Sequence, residues 1–189
     1  MGFKFYSFFV SSFLIFVISQ GCSQDKTSTH NLTAPVIEKL SSLNALREGL
    51  AASIDPNQPI TPDTFKTTCM PVGMEYKRWS ESHGFTSKQV SDKNRNPLHS
   101  PNATEEKIIT EFQNQKTLQH KVATITEGTF VYHRINVTSA CLHCHGSKDT
   151  RPDFIKSKYP EDKAYDYKEG DFRGIYSVFI PKVLPKIQN

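Results

Sequence analysis

The sequence predicts an α+β domain in which helices come first and an antiparallel sheet follows. Apolar residues recur at three- and four-residue spacing between residues 36 and 79, and alternating β-rich runs follow residue 119. A Glu127-Gly128 turn signal between two of those runs indicates a hairpin. Helices followed by antiparallel strands are typical of the α+β class.

The N-terminal segment has the features of an export signal. Lys4 precedes an apolar run from Phe5 to Ile18 that only serines interrupt. Its fourteen residues would span about 21 Å as a helix, less than the hydrocarbon core of about 30 Å, so a signal is favoured over a transmembrane helix. Cys22, directly after Gly21, resembles the acylated Cys of the bacterial lipobox, although Ser19 stands where that motif usually has Leu. Secretion without a lipid is the alternative.

These features divide the chain into a lipoprotein signal peptide (1–21), a flexible tether (22–33) and one folded domain (34–189). The expected location is the periplasmic side of a bacterial cell envelope, on either membrane, with a lipid anchor at Cys22. The net charge is only +4, and no window holds five or six like charges. Nucleic acid is therefore not expected as a partner.

Two helices are predicted at the start of the folded domain. The first covers Ala34 to Ile54, and the second follows a candidate N-cap, Thr61, with Pro62 in its first position. Pro71 is expected to kink the second helix or to remove one of its hydrogen bonds. Five residues at helical spacing are expected to share one buried face of that helix: Phe65, Cys69, Val72, Tyr76 and Trp79.

The following residues give weaker patterns, which predict one edge element and one short helix. Thr86 to Pro101 lacks periodicity and is interpreted as an ordered loop or an extended edge. Ser100-Pro101 is expected to open a shorter helix that continues through Phe112.

The second half of the domain is expected to be mostly strand. His120 to Thr126 and Thr129 to Val137 form the predicted hairpin, and Gly174 to Pro181 is a final strand. Ser147 to Arg173 holds seven basic and seven acidic residues, together with Phe154, Tyr159, Tyr165 and Tyr167, which favours a solvated loop with a few aromatic anchors.

The strongest motif is Cys141-Leu142-His143-Cys144-His145, the pattern of c-type haem attachment. The spacing lets both sulfurs form thioethers with the two vinyl groups of one haem, and His145 then lies under the iron as an axial ligand. A disulfide between Cys141 and Cys144 is one alternative. A zinc site that includes His143 is another, but it would crowd four donors into five residues, and no second Cys pair exists to complete it. One covalent haem c is therefore predicted, and the export signal agrees with it.

Cys69 has no assigned role once Cys22 is given to lipid and the motif cysteines to haem. It is either a small buried apolar residue or a thiolate on the iron opposite His145. Competing ligands for that position are two methionines and four histidines: Met70, Met74, His83, His99, His120 and His133.

Several motifs together resemble the Tll0287-like family (DUF3365), which comprises single-haem c-type domains with a PAS-like fold in periplasmic proteins and sensor ectodomains. The resemblance covers roughly residues 43 to 178. It rests on a Cys-bearing helix, an Arg-Asn-Pro motif followed by a Glu, the haem motif with its Gly, and a Gly-Asp-Phe-Arg-Gly-Ile motif: Cys69, Arg95 to Pro97, Glu105, Cys141 to Gly146 and Gly170 to Ile175.

The resemblance implies an antiparallel PAS-like sheet with flanking N-terminal helices and a covalently attached haem. It implies His145 and Cys69 as the two axial ligands. Arg95 and Arg173 are the cations expected near the haem propionates, because a guanidinium can hold a carboxylate with two bonds. For each of these arginines the alternative is a set of hydrogen bonds that fix a loop.

A redox or ligand sensor and an electron carrier are the two functions that these expectations favour. A sensor would have to signal to a separate protein, and a carrier would need a redox partner; neither partner is identified by the sequence. Enzymatic activity is less favoured, because it needs an open iron and a positioned acid or base. His133 and His83 are candidates for that role without supporting spacing.

Overall fold

The computed structural model describes residues 1–2 and 32–184. Cys22, the tether up to residue 31 and nearly all of the predicted signal lie outside these residues, so the domain division remains a prediction. The helices are α1 (Thr33–Ala52), α2 (Pro62–Ser82), α3 (Ala103–Asn114), α4 (Leu142–His145) and α5 (Asp153–Lys158). The strands are β1 (Thr86–Val90), β2 (His120–Ile125), β3 (Gly128–Asn136) and β4 (Phe172–Pro181).

The four strands form one antiparallel sheet in the order β1-β4-β3-β2. The sheet has a helix layer on each face. The apolar stripe of α1 and Tyr76 of α2 cover one face, and α3 covers the other through Phe112 and Ile109. The predicted α+β class is confirmed. Among the described residues, no helix is long and apolar enough to cross a membrane.

Helix α2 begins as predicted but meets the core along a slightly different face. Thr61 and Thr64 form a reciprocal capping box, and the helix continues through Pro71 to Ser82. Its buried residues are Thr68, Val72, Tyr76 and Ser80. The expectation that Cys69 is buried is wrong: its side chain is exposed. The spacing identified a continuous face, but the Cys69 part of that face borders an open cleft and not the core.

Local corrections concern the short elements. The N-cap of helix α3 is Asn102. Its side chain accepts a hydrogen bond from the Glu105 backbone N–H, and the Glu105 side chain accepts one from the Asn102 backbone N–H. Ser100 is therefore not the cap. The hairpin turn is Thr126-Glu127, one residue earlier than predicted, because Gly128 already belongs to β3. A Cβ at Gly128 would lie 2.2 Å from the Ile180 carbonyl, so this glycine permits close strand contact.

The connection between β3 and β4 carries the CxxCH motif and folds back against the sheet. The expectation of a solvated loop with aromatic anchors from Ser147 to Arg173 is partly correct: most of these residues are exposed and Tyr167 is buried, but the segment also contains α5 and further buried residues. Ile155, Asp162, Ala164 and Tyr167 are all buried within it. The connection therefore forms an ordered wall.

Candidate functional site

A cleft of about 490 Å³ lies between α2, the end of β3 and the CxxCH connection. Its volume is within the range of about 300–1,000 Å³ that is typical of small-molecule sites. Apolar residues from four elements form much of the lining: Ala51, Ile54, Phe65, Val72, Ile135, Val137 and Tyr176. Both motif cysteines, His145 and Cys69 line the same cleft.

The charge of the lining is entirely positive. Of the described residues that line the cleft, none is Asp or Glu, whereas five are cationic: Arg47, Lys77, Arg95, Lys158 and Arg173. An apolar interior with a cationic lining suits a ligand that has an apolar body and carboxylate groups.

The turn that presents His145 is fixed by backbone geometry. Ser139–Cys141 forms a 3-10 turn that continues directly into α4, so the motif is one compact helical segment. Gly146 follows, and a Cβ there would lie 2.7 Å from the Leu142 carbonyl oxygen. The residue after His145 is therefore restricted to glycine in this conformation.

The environment of His145 sets its protonation state. Its Nδ1 lies 2.7 Å from the Ala164 carbonyl, which can only accept, so Nδ1 carries the hydrogen. Burial and the charges of Arg173 and Arg95 hold the pKa of His145 well below its usual range. The imidazole is therefore neutral, with Nε2 free to bind a metal. The Arg95 Nη2 atom is 3.4 Å from Nδ1, which is a contact between two donors and not a hydrogen bond.

Arg95 braces the segment that holds His145. Its Nη2 donates to the Cys144 carbonyl at 2.7 Å and to the Ala164 carbonyl at 3.3 Å, and its Nε donates to Asp162 at 3.2 Å. Asp162, whose side chain is fully buried, also accepts from Arg151 at 2.9 Å. Arg95 thus borders the cleft while making the loop-fixing hydrogen bonds that were considered as the alternative to a propionate role.

Arg173 approaches the cleft from the start of β4. Its Nη1 donates to the Ser91 hydroxyl at 2.9 Å and to the Lys93 carbonyl at 3.2 Å. The guanidinium lies over the Tyr167 ring at 5.6 Å. Burial lowers the pKa of Arg173, but a guanidinium remains charged in proteins. A buried cation of this kind favours an anionic ligand in the cleft.

Cys141 is held by Arg47 of α1 and by Thr138. Arg47 Nη1 donates to the Cys141 sulfur at 3.4 Å, and Nη2 donates to the Asn136 carbonyl at 2.9 Å. The Thr138 hydroxyl lies 3.2 Å from the same sulfur. Burial, followed by the influence of Cys69, raises the pKa of the Cys144 thiol to about 11. Both cysteines are therefore near helix α1 or α2 as well as near His145.

Cys69 faces the motif across the cleft. Its side chain has free surface, yet protein surrounds the cleft, so burial is the largest cause that raises the pKa of its thiol, followed by Cys141. Arg95, Arg47 and Arg173 act in the opposite direction and favour the thiolate. Four residues beyond Cys69, Gly73 also lines the cleft, and a Cβ built there has no heavy atom within 4 Å.

The structure narrows the set of competing ligands. Met70, Met74 and His99 line the cleft with Cys69, although Met74 is 63% exposed. His83, His120 and His133 are not among the lining residues. His83 bonds the Trp79 carbonyl, and His120 pairs across strands with His133. Among residues 1–2 and 32–184, no group of three or more Cys, His, Asp and Glu side chains is placed to hold a bare metal ion.

Sequence reasoning missed the residues that orient His145. Ala164 acts through its carbonyl, for which no side-chain signal exists. Asp162 and Arg151 lie within the mixed-charge run, where nothing distinguishes them from exposed neighbours. Arg47 lies among the exposed positions of an amphipathic helix pattern.

The fold and this site together define a class of protein: an α+β domain whose antiparallel sheet supports one cation-lined cleft, with a CxxCH connection as one wall. The chain belongs to the Tll0287-like family, whose sequence profile (Tll0287) matches residues 27–181. A solved structure of the cyanobacterial haem protein Tll0287 is 39% identical and superposes with a TM-score of 0.74. The match covers 80% of this chain and 96% of that one. No curated protein matches the chain.

Proposed function

We propose that this protein binds one haem covalently in the cleft and acts in the bacterial cell envelope as a redox or ligand sensor. The observation that carries the proposal is the convergence, in one cleft of about 490 Å³, of the CxxCH motif, a facing cysteine and five cations without a carboxylate. The similarity to a solved haem protein of the same family supports it.

The residues of the cleft fit a haem in shape, charge and ligand chemistry. The apolar side chains offer a surface for a macrocycle, and the empty space beside Gly73 leaves α2 without side-chain obstruction. Arg173 is a buried cation available to a propionate. When bound, haem supplies an iron that takes up and returns one electron.

Attachment and proximal ligation are assigned to the motif. The Cys141 and Cys144 thiols would each add their S–H across one vinyl group, which forms one carbon–sulfur bond per cysteine. His145 would provide its Nε2 lone pair, because Nδ1 is committed to the Ala164 carbonyl. The neutral state of His145 suits it to this role without loss of a proton.

The second axial ligand is assigned to Cys69 as a thiolate. It lies on α2 facing the motif. Burial and Cys141 raise the pKa of its thiol and three arginines oppose that rise, so the thiolate would depend on the positive charge of a bound iron. A thiolate on the iron stabilises the oxidised state relative to a thioether ligand. Met70, Met74 and His99 are the competing ligands because they line the same cleft.

A sensor is favoured over a carrier by the sparse surroundings of Cys69. No hydrogen bond within the described residues holds its sulfur, so the sulfur could leave the iron and return without breaking a protein hydrogen bond. An electron carrier is the second candidate, supported by the exposed Met70 and Met74 on the cleft border, which would bring a redox centre close to the surface. The lipid anchor at Cys22 and the periplasmic location belong to the same proposal and rest on the N-terminal sequence.

Expression with a haem-maturation system tests the central proposal. We expect a mass one haem above that of the processed chain and a colour that survives denaturation. The Cys141→Ser/Cys144→Ser double variant should lose both the added mass of haem and the colour after denaturation. Haem that acidic solvent extracts from the wild-type protein, or a colourless protein with stoichiometric zinc, would contradict covalent attachment.

Two further measurements separate the finer assignments. Carbon monoxide binding to the reduced protein distinguishes the functions, since a sensor should release one ligand and a carrier should keep both. The Cys22→Ser variant should leave the membrane fraction or remain unprocessed. Normal processing with unchanged membrane retention would exclude a lipid anchor at this position.

A further inference from the structure

We infer that Asp162 is a positioning residue that orients the His145 imidazole and sets the electrostatic potential at its metal-binding nitrogen. The inference rests on the proposed haem function and extends it to the control of the reduction potential. Asp162 touches neither His145 nor the cleft, so it acts through the Ala164 peptide and through Arg95.

The Ala164 peptide is the direct link between Asp162 and His145. Asp162 Oδ1 accepts from the Ala164 backbone N–H at 2.8 Å, and His145 Nδ1 donates to the carbonyl of the same residue at 2.7 Å. Backbone bonds from Asp166 to Gly146 and from Tyr167 to His145 tie the rest of the segment to the motif. The imidazole orientation is therefore set by a peptide whose own position depends on a carboxylate.

The second link is the charge balance behind His145. The Asp162 side chain has no exposed surface, and its Oδ2 accepts from Arg95 at 3.2 Å and Arg151 at 2.9 Å. Arg95 and Arg151 are themselves only 10% and 11% exposed in their side chains. The network thus carries two cations and one anion in a region of low solvent access, where charges interact strongly. The hydrogen bond that Arg95 Nε donates to Asp162 keeps the Arg95 guanidinium at the Ala164 and Cys144 carbonyls.

The sign of the effect follows from this balance. Neutralising Asp162 leaves both arginines uncompensated near His145, which disfavours the more positive ferric iron and raises the midpoint potential. Neutralising Arg151 has the opposite sign, because the negative charge of Asp162 is then less offset. A carboxylate that merely stabilised the loop would not produce shifts of opposite sign.

The experiment measures midpoint potentials of haem-loaded variants. For Asp162→Asn we expect about a tenfold change in the reduction equilibrium constant, about +59 mV for a one-electron couple. For Arg151→Gln we expect about a threefold change in the other direction, about −28 mV. The g values of the ferric low-spin electron paramagnetic resonance spectrum should also change in Asp162→Asn, because the imidazole loses its fixed orientation.

Glu105→Gln is the matched control. Glu105 is a buried, ion-paired carboxylate, bonded to Lys88 at 2.9 Å, but it does not line the cleft. The Glu105→Gln substitution should lower the free energy of unfolding without changing the midpoint potential. Shifts that are absent, or that have the same sign in Asp162→Asn and Arg151→Gln, overturn the inference.

If Asp162→Asn does not fold, Arg151→Gln decides: an unchanged or raised potential overturns the inference, and a lowered one supports it. A wild-type protein without covalent haem would contradict the proposed function itself, which is a separate result.

Discussion

The two walls of the cleft differ in how firmly the protein itself holds them. The histidine wall is a dense polar network in which every member has at least one partner: His145, Ala164, Asp162, Arg95 and Arg151. The cysteine wall is the cleft side of α2, formed by Cys69, Met70, Gly73 and Met74, and its side chains are exposed or have open space before them.

This difference indicates which half of the site is preorganised. The histidine wall has its geometry before any ligand enters, because buried hydrogen bonds and charges determine it. The cysteine wall lacks such partners, so its final packing depends on what fills the cleft. In the proposed haem site, the axial position of His145 would therefore be fixed by the fold and the opposite one would be adjustable, as the proposed sensor function requires.

Removing Arg95 should give the largest loss of stability. Arg95→Ala leaves the Asp162 carboxylate with one fewer cation and the Cys144 carbonyl without its donor, so we expect a loss of about 3 kcal/mol in the free energy of unfolding. Urea unfolding measures it. Lys77→Ala removes a cleft-lining cation from α2, where it is exposed and 3.8 Å from Glu81, and should cost less than about 0.5 kcal/mol. Equal losses would remove the distinction between the walls.

The next largest effect on the free energy of unfolding should come from a buried histidine in the sheet behind both walls. Its titration determines the pH range in which variants of the two walls can be compared. His133 is buried, and burial followed by His120 lowers its pKa to about 4. An unfolded histidine titrates near about 6.5, so the unfolded chain binds more protons between these values. The contribution of neutral His133 to the free energy of unfolding is fully present above pH 6.5 and is lost as the pH falls toward 4. The loss is at most about 3 kcal/mol, since one pKa unit corresponds to about 1.36 kcal/mol.

Urea unfolding of the chain without haem between pH 4 and 8 measures this slope. His133→Gln should reduce the slope without abolishing it, because burial also lowers the pKa of His145 and of His99. His83→Gln is the control because His83 is exposed, and it should leave the slope unchanged. A wild-type profile without a slope below about pH 6.5 would contradict the assignment.

A smaller effect should come from Gly73→Ala, which tests whether the cysteine wall is completed by a ligand. In the chain prepared without haem, we expect a gain of about 0.5–1 kcal/mol, because alanine favours a helix and no atom lies within reach of its Cβ. Gly49→Ala in α1 is matched, since its Cβ also meets nothing within 4 Å and Gly49 does not line the cleft.

In the haem-loaded protein the two glycine variants should differ. Gly49→Ala should keep its gain, whereas Gly73→Ala should lose it because the methyl group enters the occupied cleft. Identical gains in both forms of the protein would mean that this part of α2 does not contact the haem.

Cys69→Ser should change stability least and spectra most. The side chain is exposed and nearly isosteric, so we expect a change within about 0.5 kcal/mol. The ferric electron paramagnetic resonance spectrum should lose its thiolate signature, and the midpoint potential should rise. An unchanged low-spin spectrum would exclude Cys69 and leave Met70, Met74 and His99 as the ligands to be tested.

The sequence predicted what depends on periodicity and missed what depends on long-range packing. Helix α1 and strand β4 were placed within two residues, since their apolar spacing reports directly on the core face. The prediction that Cys69 is buried was wrong, because periodicity identifies one face of a helix without showing whether that face packs against the core or borders a cleft. Asp162 was missed because its burial comes from residues 95 and 151, which the fold brings together.

The position of the CxxCH motif between the two central strands has a consequence for the order in which the chain folds. β3 and β4 are neighbours, yet residues 137–171 separate them, and β1 pairs with β4. Until that connection folds back, the sheet consists of the β2–β3 hairpin, and a two-stranded hairpin is marginally stable alone. We therefore expect sheet completion to be late, and the Cys141 and Cys144 thiols would stay accessible in the meantime for the proposed covalent attachment of haem. Pulsed hydrogen exchange during refolding should protect β4 amides together with the connection, and earlier protection of β4 would contradict this order.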